Sequence, residues 1–216
     1  IEAVTPEGLK DVFKGFNDVG EALIARLRTF RRHGVYVLGS FIFGLPSDRP
    51  ATFQATVDVA NRAELAFAQF VMLSPYPGTV DSEAREKLHG PDAAHVGGVP
   101  ITRHWLIPQD QRPKVYAPHP VMPPDEIRAR AQAVWDEFYG LRRIWARSRC
   151  TPNLRARLAF VLTSKLYRQM YANTGIATDS ARVSRANRWA RLIAKPCRRL
   201  FVARPLPGLT NTLSDA

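Results

Sequence analysis

Two apolar stretches decide the fold: VYVLGSFIF at residues 35–43 and AFAQFVML at residues 66–73. Each is a nearly continuous apolar run of strand length, which is typical of a central strand in a parallel sheet with both faces buried. Residues 50–64, between them, have the spacing of an amphipathic helix with Phe53 and Val57 on its inner side. A strand, a helix and a second strand in this order predict a crossover connection and parallel pairing.

The residues before the first stretch extend the same pattern. Residues 1–4 resemble the end of another strand, and Thr5-Pro6-Glu7 is a helix start, with threonine as N-cap and proline in the first turn. We expect a short helix to about Phe16 and a second helix that ends at Gly34. The order strand, helices, strand, helix, strand predicts an α/β fold.

The pattern weakens after the second apolar stretch. Residues 81–120 predict only a short helix over 82–88 and then an irregular segment rich in Pro, Gly and His, which we interpret as a cover over a site. A long amphipathic helix is predicted from Pro124 to about Arg147, and further helices begin at Pro152 and at about Ser180. Their expected inward residues are Ile127, Ala131, Val134, Phe138, Leu141 and Trp145 on the first of these, and Leu154, Leu158, Val161, Leu166 and Met170 on the second. We therefore predict two domains, residues 1–120 and a mostly helical basic extension over residues 121–216.

The positive charge is concentrated in that extension. The 216 residues contain 31 basic and 19 acidic residues, a net charge of +12, yet residues 140–204 alone hold 16 basic residues and one acidic residue, Asp179. Within it, Arg182, Arg185, Arg188, Arg191, Lys195 and Arg198 recur every three or four positions, with Trp189 and leucines between them. Three interpretations stay open: a solvated surface helix, a helix at an anionic membrane surface, and a nucleic-acid patch. Nucleic acid is the least favoured, because no RNA-binding signature is present.

Several classes of protein are excluded. Two cysteines, Cys150 and Cys197, are too few for a disulfide scaffold and have no zinc-ligand spacing, so two buried thiols are expected rather than a disulfide. No apolar run approaches the length that spans a membrane. No Ser-His-Asp set, paired-carboxylate site or phosphate-binding GxxxxGK[ST] stands out. We expect a cytoplasmic protein, which the membrane interpretation would place at the inner face of the membrane.

The ends of the predicted strands carry the functional signal, because ligands of parallel sheets bind beyond the carboxyl ends of the strands. These ends present Glu2, then SFIFGLP at residues 40–46, then SPYPGT at residues 74–79. Taken singly, the second predicts a turn and the third a rigid loop, and Glu2 is equally consistent with an exposed acid. Two further residues are weaker candidates: Lys14 is expected to be a solvated helix residue, and His104 either a core histidine or part of the cover.

Together these segments resemble a known family. IEAVTPEGLKDVFKGFN (1–17), RRHGVYVLGSFIFGLPSDRPATFQATVDVA (31–60) and AFAQFVMLSPYPGT (66–79) are similar to the second half of the radical S-adenosylmethionine (SAM) barrel, in the group with an N-terminal cobalamin-binding domain. VWDEFYGLRRIWAR (134–147) is similar to that group's C-terminal extension. The fold that the resemblance implies is the C-terminal portion of a partial (β/α) barrel, followed by the helical basic extension.

The resemblance also implies the roles of individual residues. Ile42 would pack on the adenine of SAM, and Gly44 would allow close approach of the backbone. Ser40 replaces the first glycine of the family's GxIxGxxE motif, and Ser47 stands where its glutamate would be. Glu2 would reach the ribose hydroxyls or the methionine ammonium, and backbone of the loop would bind the adenine amine. The implied SAM-binding set is Glu2, Ser40, Ile42, Gly44, Ser74, Pro75 and Tyr76.

The implied function is that of a fragment. Members of the family hold a 4Fe-4S cluster through CxxxCxxC, which this sequence lacks, so we expect the chain alone to be inactive and assign it no catalytic or metal-binding residue. The parent enzyme would use SAM, the cluster and cobalamin to methylate or rearrange an unactivated carbon, on a small-molecule or lipid-like substrate such as a hopanoid or terpenoid. A methylthiotransferase-like or oxidative-cyclase-like enzyme is one alternative. The other is a non-catalytic basic module that docks on membrane or nucleic acid; it is disfavoured if strand ends 40–47 and 74–79 form one concave site.

Overall fold

A computed structural model describes residues 1–90, 92–108, 110–113, 115 and 117–173. The predicted amphipathic segment 182–198 and Cys197 therefore lie outside the described residues. The described α-helices and β-strands, in chain order, are α1 (Pro6–Asp11), α2 (Gly20–Arg32), β1 (Leu38–Phe43), α3 (Pro50–Arg62), β2 (Phe67–Met72), α4 (Val80–His89), β3 (His95–Val96), β4 (Val99–Pro100), α5 (Pro124–Phe138), α6 (Leu141–Arg147) and α7 (Leu154–Asn173). Two short 3-10 helices lie at Ile101–Leu106 and Ser148–Cys150. This is a mixed α/β fold, as predicted, and the described residues do not form a closed barrel.

Strands β1 and β2 pair in parallel, in the register Leu38 to Phe67 through Phe43 to Met72. This confirms the parallel pairing that the β–α–β order predicted. Residues 1–4 do not form the predicted strand, but they run beside β1, because the Ile42 N–H donates to the Glu2 carbonyl at 2.8 Å. The first strand end therefore lies next to the end of β1.

The two strands are buried on one face only. Phe41, Phe43 and Phe70 are fully buried, and Phe43 stacks on Phe53 of α3 with ring centroids 4.3 Å apart. On the opposite face, Ser40, Ile42, Gln69 and Val71 are only partly buried. The sequence predicted that both faces are buried. The face that is only partly buried carries two of the predicted site residues, Ser40 and Ile42.

The free edge of β2 is covered by two aromatic side chains, Trp135 of α5 and Tyr139, the residue that follows α5. The Tyr139 hydroxyl donates to the Ala68 carbonyl at 2.7 Å and accepts from the Ala68 N–H at 3.2 Å. One turn earlier, the Trp135 indole N–H donates to the Phe70 carbonyl at 3.0 Å. An uncovered strand edge would leave these backbone groups exposed or unpaired, so α5 closes the sheet on this side.

The helices after residue 120 differ from the prediction in two ways. The predicted helix 124–147 is divided into α5 and α6 at Gly140, and Leu141 and Trp145, expected inward, are exposed. The inward stripe predicted for α7 is wrong for all its residues but Val161, which packs against the core. Leu154, Leu158, Leu166 and Met170 are all more than half exposed, and the buried side is formed by Phe160, Ser164, Arg168 and Ala172.

Aromatic and guanidinium contacts explain the orientation of α7. The Arg168 guanidinium lies 5.0 Å from the ring centroid of Trp135 and pairs with Asp136 at 3.1 Å. Phe160 and Tyr167 of the same side pack on Phe67. These contacts bury large ring surfaces on α5 and β2, and they turn the aliphatic residues of α7 outward.

No helix within the described residues is long and apolar enough to cross a membrane. The domain boundary at residue 120 stays a prediction.

We expect Tyr139→Phe to reduce the free energy of unfolding by about 2 kcal/mol, because it leaves a buried backbone N–H and carbonyl without their partner. Urea denaturation measures this change. The matched control is Tyr36→Phe, whose exposed hydroxyl donates to the Cys150 carbonyl at 3.4 Å, and which should change stability by less than about 0.5 kcal/mol. Equal effects of the two substitutions would contradict a special role for the β2 edge.

Candidate functional site

The ends of β1 and β2 leave the sheet side by side. The Leu73 N–H donates to the Phe43 carbonyl at 2.8 Å, which continues the pairing by one residue. A Cβ atom placed on Gly44 would lie 3.7 Å from the Leu73 Cβ. The turn after β1 and the loop after β2 therefore start at the same edge, which is the geometry that the candidate SAM site requires.

A buried carboxylate holds the turn after β1. One oxygen of Asp48 accepts from the Gly44 N–H at 2.8 Å and from the Leu45 N–H at 3.0 Å, and Gly44 has φ of +91°, a conformation that favours glycine. Asp48 is 2% exposed, and burial raises its pKa to about 6 although the two N–H groups oppose this rise. On the outer side of the turn, Asp11 of α1 accepts from the Ser47 N–H at 3.0 Å. The sequence analysis did not identify Asp48. The pattern that could have identified it is an aspartate four residues after a glycine in a turn.

The partly buried face of the sheet carries two predicted residues. The Gln69 amide donates to the Ser40 hydroxyl at 2.7 Å, and the Gln69 carbonyl oxygen accepts from the Tyr171 hydroxyl of α7. Ser40 is thus engaged with the neighbouring strand. Ile42, two residues further, packs at the border of a small apolar cluster with Leu45 and keeps part of its surface exposed. This exposed part is an apolar platform near the strand ends.

Glu2 forms an ion pair at this edge. Its carboxylate lies 3.3 Å from the Lys14 ammonium, and both side chains are partly exposed. We expected Lys14 to be a solvated helix residue; instead it follows α1 and reaches the first strand end. The pair places opposite charges next to each other beside Ile42.

The loop after β2 is shaped by its own hydrogen bonds. The Thr79 hydroxyl donates to the Tyr76 carbonyl at 2.7 Å and accepts from the Ser82 N–H at 3.2 Å, so it both closes the loop and caps α4. The Ser74 hydroxyl donates to the Met72 carbonyl at 3.3 Å. The Tyr76 side chain is 72% exposed and available to a ligand.

A cavity of about 710 Å³ lies next to this loop. Its walls come from α4 and from the segment predicted to be a cover, and Pro75 belongs to both the loop and the cavity wall. Most of the lining is apolar, and Arg85, His89 and His104 supply polar groups. His104 is 9% exposed, and its pKa is lowered by burial and by the charge of Arg112, so its imidazole is neutral at pH 7. A cavity of this size and composition suits a mostly apolar small molecule.

His119 attaches the cover to the turn after β1. Its Nδ1 faces the N–H groups of Val121 at 3.1 Å and Met122 at 2.9 Å, so it must accept from them. The proton therefore resides on Nε2, which donates to the Leu45 carbonyl at 2.9 Å. One imidazole in a single tautomer connects the cavity wall to the strand end, and sequence reasoning had not singled it out.

The described residues contain no group of three or more His, Cys, Asp or Glu side chains that could hold a metal ion. Cys150, a free thiol, lies at the other end of the strands: with Val37 and Ala66 it lines a small pocket where the chain enters β1 and β2. The thiol is thus remote from the strand ends that carry the candidate SAM site. It cannot serve as a cluster ligand there.

Comparison with known proteins gives partial matches. No protein-family model matches the chain. An uncharacterized methyltransferase of Pyrococcus horikoshii is 34% identical over 79 residues, which cover 37% of this chain and 17% of the relative. Bacteriochlorophyllide d C-12(1)-methyltransferase of Chlorobaculum tepidum is 36% identical over 80 residues, which cover 36% of this chain and 17% of the relative. The chain thus has weak, partial similarity to methyltransferases, over a small part of their length.

We expect Asp48→Asn to remove a pH dependence of stability. In the unfolded chain Asp48 titrates near 3.8 and in the folded chain near 6, so between these values the folded state binds more protons and stability falls as pH rises. The asparagine oxygen can accept both N–H bonds without a charge. Relative to the wild type, the variant should therefore gain about 2 kcal/mol between pH 4 and pH 7.5 in urea denaturation. Asp58→Asn, at an exposed position, is the control; a flat difference for Asp48→Asn would contradict the assignment.

We expect His119→Ala to loosen the cavity wall, because it removes the acceptor for two amides and the donor to Leu45. Hydrogen exchange measured by NMR should be at least about tenfold faster at the Val121 and Met122 amides, which corresponds to about 1.4 kcal/mol of lost local stability. The amides of β1 are the internal reference and should keep their protection. Equal acceleration in β1 would mean that the imidazole stabilises the whole fold rather than the cover.

Proposed function

We propose that this chain supplies the SAM-binding side of a radical SAM methyltransferase. Methyl transfer is suggested by the two partial relatives, both of which are named methyltransferases. The radical SAM assignment rests on the motifs at residues 1–17, 31–60 and 66–79. The observation that carries it is the junction of the two strand ends, because Gly44 and Leu73 are adjacent at one edge of a parallel sheet.

The groups at this edge have the chemistry that SAM needs. Ile42 offers a partly exposed apolar surface for the adenine ring, and Gly44 has no side chain to block it. Backbone groups of residues 74–76 would bind the adenine amine, next to the exposed ring of Tyr76. SAM ends in an amino-acid group with one ammonium and one carboxylate. The Glu2–Lys14 pair offers a charge of each sign, so Glu2 would bind the ammonium or the ribose hydroxyls and Lys14 the carboxylate.

The 4Fe-4S cluster and cobalamin do not fit the described residues. The described part of the chain offers Cys150 alone, at the far end of the strands, and no ligand set for a metal. In this proposal both groups are bound by residues outside the described ones, and the role of this chain is to bind and orient SAM. None of the roles that we assign to the side chains of this chain involves the cluster.

The neighbouring cavity is the place for the methyl acceptor. It shares Pro75 with the loop that would bind adenine, so a ligand in it would be adjacent to bound SAM. Its apolar lining favours a lipid-like acceptor such as a polycyclic terpenoid, and Arg85 and the neutral His104 would meet the acceptor's polar groups. The cover fixed by His119 would exclude water from this space.

We expect the chain to bind SAM, and Ile42→Ala to weaken that binding about tenfold through lost apolar contact with the adenine. Glu2→Gln should weaken it by a similar factor, because a charge-assisted hydrogen bond is lost. Isothermal titration calorimetry with SAM at pH 7.5 measures both.

The matched control is Leu38→Ala. Leu38 lies on the same strand and the same face as Ile42, four residues toward the amino end, and is 51% exposed. It should leave SAM affinity unchanged. Absence of SAM binding by the wild-type chain, or equal losses from Leu38→Ala and Ile42→Ala, would refute the proposed site.

A further inference from the structure

The aliphatic side chains of α7 point away from the core and form part of a surface that no element of the described structure covers. Its exposed apolar side chains are Leu141 and Trp145 on α6 and Leu154, Leu158, Leu166 and Met170 on α7. We call this set, with the exposed basic residues Arg142, Arg149 and Arg155, the α6–α7 surface. Exposed leucine and tryptophan side chains on adjacent helices are typical of an interaction site when they form one patch.

The two helices form one continuous part of this surface. The Arg157 guanidinium lies over the Trp145 ring, 4.0 Å from its centroid, and donates to the Trp145 carbonyl at 3.2 Å. It also donates to the Ser148 hydroxyl at 3.0 Å. Leu154 and Leu158 flank Arg157 on α7. Arg157 thus fixes Trp145 against the first turns of α7.

The charge of this region has a single sign. Residues 140–173 contain eight basic residues and no acidic residue. Glu137 and Asp136 of α5 pair with Arg143 and Arg168, respectively. Arg142, Arg149 and Arg155 are exposed, with no ion-pair partner in the part of the chain that the structure describes. Three exposed cations without an ion-pair partner among the described residues therefore belong to the same segment, residues 141–170, as the exposed leucines.

We propose that the α6–α7 surface docks on an anionic lipid bilayer. Leucine and tryptophan side chains enter the boundary between head groups and acyl chains, while the arginines meet lipid phosphates. A second copy of this chain would bring like charges together, which opposes self-association through this surface. A nucleic acid would leave the leucines exposed to water. An anionic membrane matches both the apolar and the basic residues, and the proposal does not depend on SAM binding.

The test is vesicle co-sedimentation of the whole chain. We expect it to bind vesicles of equimolar phosphatidylcholine and phosphatidylglycerol, and not phosphatidylcholine alone. Arg142→Gln/Arg149→Gln/Arg155→Gln should weaken binding at least about tenfold, since arginines near an anionic surface are attracted to the lipid phosphates. Leu154→Gln/Leu158→Gln should weaken it by a similar factor without any change of net charge.

Matched controls separate this surface from general attraction of a basic chain. Lys10→Gln/Arg32→Gln/Lys87→Gln removes three exposed charges elsewhere, and Phe13→Gln/Phe16→Gln removes two exposed apolar residues before α2. Both should bind as the wild type does, and circular dichroism checks that each variant is folded.

Three results would overturn the proposal. The first is absence of binding to the mixed vesicles. The second is equal loss from the two charge triples, which would indicate net charge alone. The third is binding of a mixed-sequence DNA duplex that competes with vesicles, together with wild-type binding by Leu154→Gln/Leu158→Gln; that result would assign the surface to nucleic acid.

Discussion

The hydrogen bonds between Tyr139 and both backbone groups of Ala68 are the contact on which the rest of the structure depends. A two-stranded parallel sheet has one unsatisfied edge for each strand, and β2 has no third strand beside it in the described chain. Trp135 of α5 and Tyr139, which follows it, form hydrogen bonds with the free backbone groups of β2, and these bonds fix the position of α5. Because α7 in turn packs on α5 and β2 through rings and Arg168, the orientation of the whole helical extension follows from the covering of one strand edge.

At the other end of the sheet, buried polar groups fix the candidate site. Burial of Asp48 costs solvation free energy, which is reflected in its raised pKa. Its carboxylate accepts two hydrogen bonds from the turn that carries Gly44. A hydrophobic residue at this position would remove the cost but leave two amides unpaired. His119 extends the same turn to the cavity wall through Leu45. The strand end and the cavity are therefore one hydrogen-bonded unit, in which the geometry of the proposed SAM site is set before any ligand binds.

Local sequence patterns predicted β1, α3 and β2, because strong apolar runs and helix caps act over a few residues. They also predicted that Ile42, Gly44 and the loop at 74–76 would share one edge, since parallel pairing brings carboxyl ends together. They did not predict Asp48, His119 or the Glu2–Lys14 pair, which depend on residues distant in sequence or on turn geometry. The burial of α7 was predicted wrongly for a related reason: an aliphatic stripe at helical spacing is ambiguous when the opposite side carries aromatic residues that have partners on β2 and α5. The roles of the predicted SAM-binding residues stay predictions, and so does the domain boundary.

The proposed methyl transfer and the proposed membrane docking are connected by the low water solubility of a lipid-like methyl acceptor. A lipid-like molecule is nearly absent from water, so an enzyme with an apolar cavity gains access to it by binding where the molecule is dissolved. In this chain, α7 and the face of the sheet that carries Ile42 are joined by hydrogen bonds, from the Tyr171 hydroxyl of α7 through the Gln69 side chain to Ser40 on β1. A bilayer that bound the exposed side of α7 would contact neither the proposed SAM-binding residues, which lie at residues 2–76, nor the cavity lining, which lies at residues 75–124. Docking and ligand binding therefore use different residues of the chain and do not compete.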